Sequence, residues 1–172
     1  MNLYPLLLVA ATCALTACAF PSTKYTDAPY VGGMYSKTLL LGYDGEPRPI
    51  SEVGVMTQDG VLQVRKISRD GQVVPLRAIS KKDYLHSTGR TQIHLLPGKY
   101  QVEFCFFASS PQRTAWCTTP VFRTVDMSAG QVKHYAFLER GRQWSTVEHD
   151  GTQDLAEIEA DFKMLTSPPH KQ

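Results

Sequence analysis

Between Lys37 and Val147 the chain is a succession of short apolar or alternating runs, each closed by Gly, Pro, Asp or Ser. An alternating run has one face to bury and one to wet, the signature of a half-covered strand. About nine such runs at near-regular spacing predict a mainly β chain folded as an antiparallel β-sandwich or barrel.

The runs are Lys37 to Tyr43, Glu52 to Thr57, Val61 to Ser68, Gln72 to Ile79, Thr91 to Leu96, Lys99 to Phe107, Thr114 to Val125, Gln131 to Glu139 and Arg142 to Val147. Asp70-Gly71, set between two of them, is the strongest hairpin signal in the chain. Residues 80–90 are polar, and Asp126 to Gly130 reads as a turn. From Asp150 to Leu165 the texture changes. Leu155, Ile158, Phe162 and Leu165 recur at helical spacing, with Asp154, Glu157, Glu159 and Asp161 largely off that stripe. This predicts one amphipathic helix packed on the sandwich or its edge, ended by Ser167-Pro168-Pro169.

The run Lys99 to Phe107 sets Tyr100, Val102, Phe104 and Phe106 on one face and Lys99, Gln101, Glu103 and Cys105 on the other. If Cys105 lies opposite Cys117, then Phe106 meets Trp116, Phe104 meets Thr118 and Tyr100 meets Phe122. Aromatic partners then share one face and the two cysteines the other. A disulfide between Cys105 and Cys117 would contribute about 3 kcal/mol in the chain-entropy model.

At the N-terminus, Leu3 to Ala17 carries no charge and is mostly Leu, Ala, Val and Thr. It is shorter than the roughly 20 residues that span a bilayer, and its layout suits a secretory signal. Leu15-Thr16-Ala17-Cys18 matches a lipoprotein processing site position by position: a large aliphatic, two small or hydroxyl residues, then the thiol that takes the lipid. Cys13 competes as the site, but Thr12 before it fits less well than Ala17. Met1-Asn2 supplies no Lys or Arg. The expectation is a signal peptide over 1–17, a lipidated tether over 18–36, a β-sandwich domain over 37–149, a helix over 150–166 and a tail over 167–172. Two or more acyl chains, palmitate among them, would hold Cys18 at a membrane, at about 0.8 kcal/mol per buried methylene. Ala19 after the cysteine, where Asp would resemble an inner-membrane retention signal, implies the outer membrane. Outside the cytoplasm the Cys105–Cys117 pair would be oxidised.

Net charge is +2, and the longest basic runs are the dipeptides Arg65-Lys66 and Lys81-Lys82. They read as solvated strand or turn positions, so no nucleic-acid partner is expected. A catalytic reading needs a nucleophile with a base, a carboxylate pair or a metal cluster. No Gly-x-Ser-x-Gly or His-Glu-x-x-His occurs, and the five histidines (His86, His94, His134, His149, His170) have no ligand spacing. The sequence therefore predicts no enzyme, no cofactor and no metal site, although His94 and His134 could meet across a sheet. Asp44 and Glu46 in a Gly/Pro turn, and Trp144 as a surface aromatic, remain as candidate contact residues.

Leu95-Leu96-Pro97-Gly98-Lys99-Tyr100-Gln101-Val102-Glu103 resembles the L-x-P-G-x-Y-x-V turn of prealbumin-like and PEGA-like β-sandwich modules. With Leu41-Gly42-Tyr43-Asp44-Gly45-Glu46-Pro47-Arg48-Pro49, Glu52-Val53-Gly54 and Ala129-Gly130-Gln131-Val132-Lys133-His134-Tyr135, the set resembles small uncharacterised lipoproteins of Gram-negative bacteria. Gly54 departs from the usual Ala. The resemblance implies a prealbumin/Ig-like antiparallel sandwich of about 7–9 strands with a C-terminal helix. It also implies an envelope location at the periplasmic face of the outer membrane, and carries no established activity. The functional expectation is a non-enzymatic, lipid-anchored module that binds an envelope protein or serves a structural role. The alternative is a module or enzyme acting on polysaccharide or peptidoglycan.

Overall fold

A computed structural model describes residues 38–80, 91–110, 113–117, 119–141 and 143–167. The expected signal segment and tether, the polar stretch after residue 80 and the expected tail from residue 168 lie outside the described residues. The chain is mainly β, in two stacked sheets with one C-terminal helix. Eleven strands occur among the described residues: β1 (Thr38–Leu41), β2 (Gly54–Gln58), β3 (Leu62–Arg69), β4 (Gln72–Val73), β5 (Arg77–Ser80), β6 (Thr91–Leu95), β7 (Gly98–Ser110), β8 (Arg113–Cys117), β9 (Val121–Met127), β10 (Val132–Arg140) and β11 (Gln143–Asp150). A 3-10 turn over Thr152–Asp154 leads into helix α1 (Leu155–Thr166).

One sheet has six strands in the order β11-β10-β2-β6-β1-β5. The other runs β4-β3-β7, with β9 and β8 both pairing along β7. The six-stranded sheet is mixed, because β1 pairs β6 in parallel and β10 pairs β2 in parallel. An antiparallel sandwich throughout was the expectation. The parallel pairs arise because the chain changes sheets between β2 and β3, β4 and β5, β6 and β7, and β9 and β10. Each change falls at a sequence breaker: Gly60, Pro75, Pro97 or Gly130. Pro75 has no N–H to give a ladder, so the expected strand Gln72 to Ile79 is cut into β4 and β5, which belong to different sheets. The Asp70-Gly71 hairpin forms as expected. Both residues adopt positive φ, 52° and 78°, and Ser68 pairs with Val73 around them.

The inner strands β1, β2 and β6 of this sheet are buried on both faces, which explains why Leu39-Leu40-Leu41 is apolar without alternation. Leu40, Met56, Ile93, Leu95 and Tyr135 face the second sheet and meet Leu62, Ile67, Tyr100, Val102, Phe104, Val125 and Met127. The Phe104 and Tyr135 rings, one from each sheet, lie 5.0 Å apart. Leu39, Leu41, Val55 and Val132 face the other way, with Ile158 and Leu165 of α1 in a separate cluster. The helix therefore forms a third layer on the outer face of the six-stranded sheet.

The expected register across β7 needs correcting. Phe107, not Cys105, stands opposite Cys117, and Ala108 stands opposite Trp116. Tyr100 pairs with Val125, while Phe122 stands opposite Glu103 and is 60% exposed. The run Thr114 to Val125 is two strands, interrupted before Pro120, and the register slips along the β8–β9 side. A slip of odd size turns every side chain of β9 over, which puts Phe122 outside and Val125 in the core. Thr118 lies outside the described residues, and Phe104 pairs with Val121.

Gly54 is explained by close packing. A Cβ there would stand 2.7 Å from Met127 Cε and 2.9 Å from Met127 Cβ. Gly54→Ala is expected to destabilise the fold by about 1–3 kcal/mol, since a filled core accepts an added methyl only by shifting. Urea denaturation should show this loss, and in a double-mutant cycle with Met127→Ala the two changes together should cost less than the sum of each alone.

Candidate functional site

The three candidate contact residues do not share a site. Asp44 and Glu46 are exposed on the turn that follows β1. That turn is tied down from inside: the Arg48 N–H donates to the Tyr43 hydroxyl at 3.0 Å, the Arg48 guanidinium lies over the Tyr43 ring, and Arg77 donates to the Gly45 carbonyl. Trp144 opens β11, which the pairings through β10, β2 and β6 orient parallel to β1. It therefore sits at the opposite end of the six-stranded sheet. There it is half-buried, packed with Phe137 at 6.1 Å and Phe106 at 6.5 Å, with Phe106 and Phe137 stacked at 4.5 Å. This trio closes that end of the inter-sheet core.

A polar chain that sequence reading missed runs through Asp59, His134 and Thr57. Asp59 Oδ1 meets His134 Nε2 at 3.0 Å, and His134 Nδ1 meets Thr57 Oγ1 at 2.9 Å. Asp59 Oδ2 also accepts the Phe137 N–H at 2.9 Å. Carboxylate, imidazole and hydroxyl in line is the order of a nucleophilic relay. Thr57, however, is only 1% exposed, so a substrate carbonyl has no approach to its oxygen. What the arrangement does is lock the start of the β2–β3 crossing onto β10. His134 lies 75 positions from Asp59 and 77 from Thr57 along the chain, and the parallel pairing of Thr57 with His134 brings it to them.

His94 and His134 do not meet, because β2 lies between their strands. His94 is fully buried under α1. Its ring stacks on Phe162 at 5.4 Å, and its Nε2 meets Gln92 Oε1 at 3.2 Å. The Gln92 amide in turn donates to the Ile158 carbonyl of the helix at 3.1 Å. Nδ1 of His94 is buried without a hydrogen-bond partner among the described residues. Burial holds this imidazole down to about 4, so it is neutral at pH 7. Among the described residues, no group of His, Cys, Asp and Glu is placed to hold a metal ion.

A second polar cluster pins the sheets together where β9 crosses β11. Arg123 Nε donates to Thr146 Oγ1 at 3.0 Å, and its Nη2 donates to the Thr146 carbonyl at 3.2 Å and to the Ser145 hydroxyl. Nearby the Tyr135 hydroxyl donates to Glu148, whose other oxygen pairs with Lys133 Nζ at 2.7 Å. Burial, then the Glu148 carboxylate, pushes the Tyr135 hydroxyl well above its ordinary range. Burial raises the Glu148 carboxyl too, but the bonds from Lys133 and Tyr135 outweigh it and leave the group below its usual range.

The end strand β11 presents an open edge. The Phe137 N–H and the Tyr135 carbonyl both turn toward Asp59, on the β2 side of β10. Alternate residues of β10 therefore turn toward β11, and their partners Ser145, Val147 and His149 turn back to meet them. Trp144, Thr146 and Glu148 are left with backbone groups aimed away from the sheet. The Arg123 bond to the Thr146 carbonyl caps one of them. No further strand pairs with this edge among the described residues.

No protein-family model matches this chain, and no significant match to a curated protein or a solved structure was found. No helix among the described residues is long and apolar enough to cross a membrane.

If the Asp59 chain is a structural lock, Asp59→Ala should cost about 1–2 kcal/mol, because the Phe137 N–H and the His134 ring both lose their acceptor. Thr57→Val should cost less, since it removes one hydroxyl and keeps the shape. Urea denaturation midpoints of the two variants check this order.

Proposed function

We propose that this protein is a lipid-anchored lipoprotein of the Gram-negative envelope, at the periplasmic face of the outer membrane, which holds a partner protein through the open edge of β11. The observation that carries the reading is that edge, eight residues long, with the backbone groups of Trp144 and Glu148 turned outward. An extended partner segment can add to such an edge by main-chain hydrogen bonds, with Trp144 at its head as a side-chain contact. Leu15-Thr16-Ala17-Cys18 supports the anchor, and the likeness to small envelope lipoproteins supports the location. No chemical step belongs to this reading.

The reading includes a Cys105–Cys117 bridge. Cys105 and Cys117 lie on the neighbouring strands β7 and β8, and the proposed compartment is an oxidising one. Cys105 is itself fully buried. Neither thiol should react with a thiol reagent in denaturant until a reductant is added.

Two variants test the main claim. Cys18→Ser should abolish acylation, seen by mass spectrometry of the N-terminal peptide, and release the protein from membranes. Glu148→Pro removes an outward N–H from β11, and Glu148→Ala removes the same carboxylate while keeping that N–H. Affinity capture from crosslinked envelopes should lose its co-purifying protein with Glu148→Pro and keep it with Glu148→Ala. Equal capture by both variants counts against strand addition at this edge.

A further inference from the structure

We infer that α1 is an acid-released latch: it rests on the polar pair Gln92 and His94 and lifts from the six-stranded sheet while the two-sheet core stays folded. The inference rests on the fold and is independent of the anchoring and partner reading above.

The geometry separates the two events. The core between the sheets and the layer under the helix are distinct clusters, and α1 contributes only to the second. A helix of 12 residues is marginal on its own, so α1 owes its persistence to docking. The seat is made mostly by Leu39, Leu41, Val55 and Val132, and among them the sheet buries Gln92 and His94, with Thr57 opposite Gln92. Gln92 binds the helix backbone at Ile158, and His94 carries the Phe162 ring.

His94 has one nitrogen on Gln92 Oε1 and the other without a partner. A proton added to the ring would leave a charge buried with an unpaired N–H, whereas lifting the helix returns the ring to water. The charged groups around it offer no compensation. β1 and β2 carry no ionisable side chain, β5 carries Arg77, and His134 of β10 is engaged by Asp59 and Thr57. On α1, Glu157, Glu159 and Lys163 are exposed, and Asp161 is buried one residue before Phe162. Burial is the cause that lowers the His94 imidazole from 6.5 to about 4.

The sign follows from linkage. The docked state binds the proton more weakly than the lifted state, so docking is at full strength above pH 6.5 and weakens as pH falls through that value. The opening equilibrium should rise about tenfold per pH unit below 6.5 and level off near pH 4, about 300-fold higher in all.

Hydrogen exchange read by mass spectrometry on the full chain in detergent, at several pH values from 7 to 4 and corrected for intrinsic rates, tests this. Protection over 155–166 should fall by those factors while β7 stays protected, and His94→Gln should flatten the response. Three results overturn the latch: helix and β7 losing protection together, helix protection that ignores pH, or an acid response that survives His94→Gln. Should His94→Gln not fold, Gln variants of His86, His134, His149 and His170, each with His94 kept, decide the matter. The acid response persists in all four if His94 is the sensor, and its loss in any of them overturns the assignment.

Discussion

A sheet that hides both its faces is the constraint on which this structure depends. β1, β2 and β6 sit inside the six-stranded sheet, and nearly every residue along them is buried. Each large apolar side chain so buried contributes about 1.5–3 kcal/mol relative to exposure. The second sheet covers one face and α1, with the segment through Tyr43, Ile50 and Val53, covers the other. Without either cover, a row of leucines and valines would stand in water.

Polar side chains inside such a sheet must be satisfied locally, and most are used as ties. Asp59, His134 and Thr57 join a crossing loop to β10. Arg123 joins the sheets at their seam, and Tyr135, Glu148 and Lys133 stiffen the end strands. Some groups depart from this pattern, Thr38 Oγ1 and Gln58 Oε1 among them, and two departures stand out. His94 keeps an unpartnered nitrogen under the helix, and β11 keeps outward backbone groups. Those two places, the helix seat and the sheet edge, are where the fold has stability to trade for response or contact.

Much of the fold was legible in the chain because its signals are local. The Asp70-Gly71 turn, the alternation from Tyr100 to Phe106 and the stripe of Leu155, Ile158, Phe162 and Leu165 each lie within a few residues. Errors came where pairing partners are distant. Phe122 was expected opposite Tyr100, and one slip near Pro120 moved it to the surface. The polar lock of Thr57, Asp59 and His134 had no local signal at all. Trp144 was legible as an aromatic but not as the closing piece of the Phe106–Phe137 stack.

By itself the sequence determined that this is a mainly β chain ending in one amphipathic helix, since periodicity of two or of 3.6 is set by backbone geometry alone. It also carried the breakers at Gly60, Pro75, Pro97 and Gly130, where the chain changes sheets. Only the tertiary structure decided which strands pair in parallel, which face of β9 is wet, and which sheet surface the helix covers. Those choices depend on burying the greatest apolar area across residues far apart in the chain, and no short window of sequence contains both sides of such a contact.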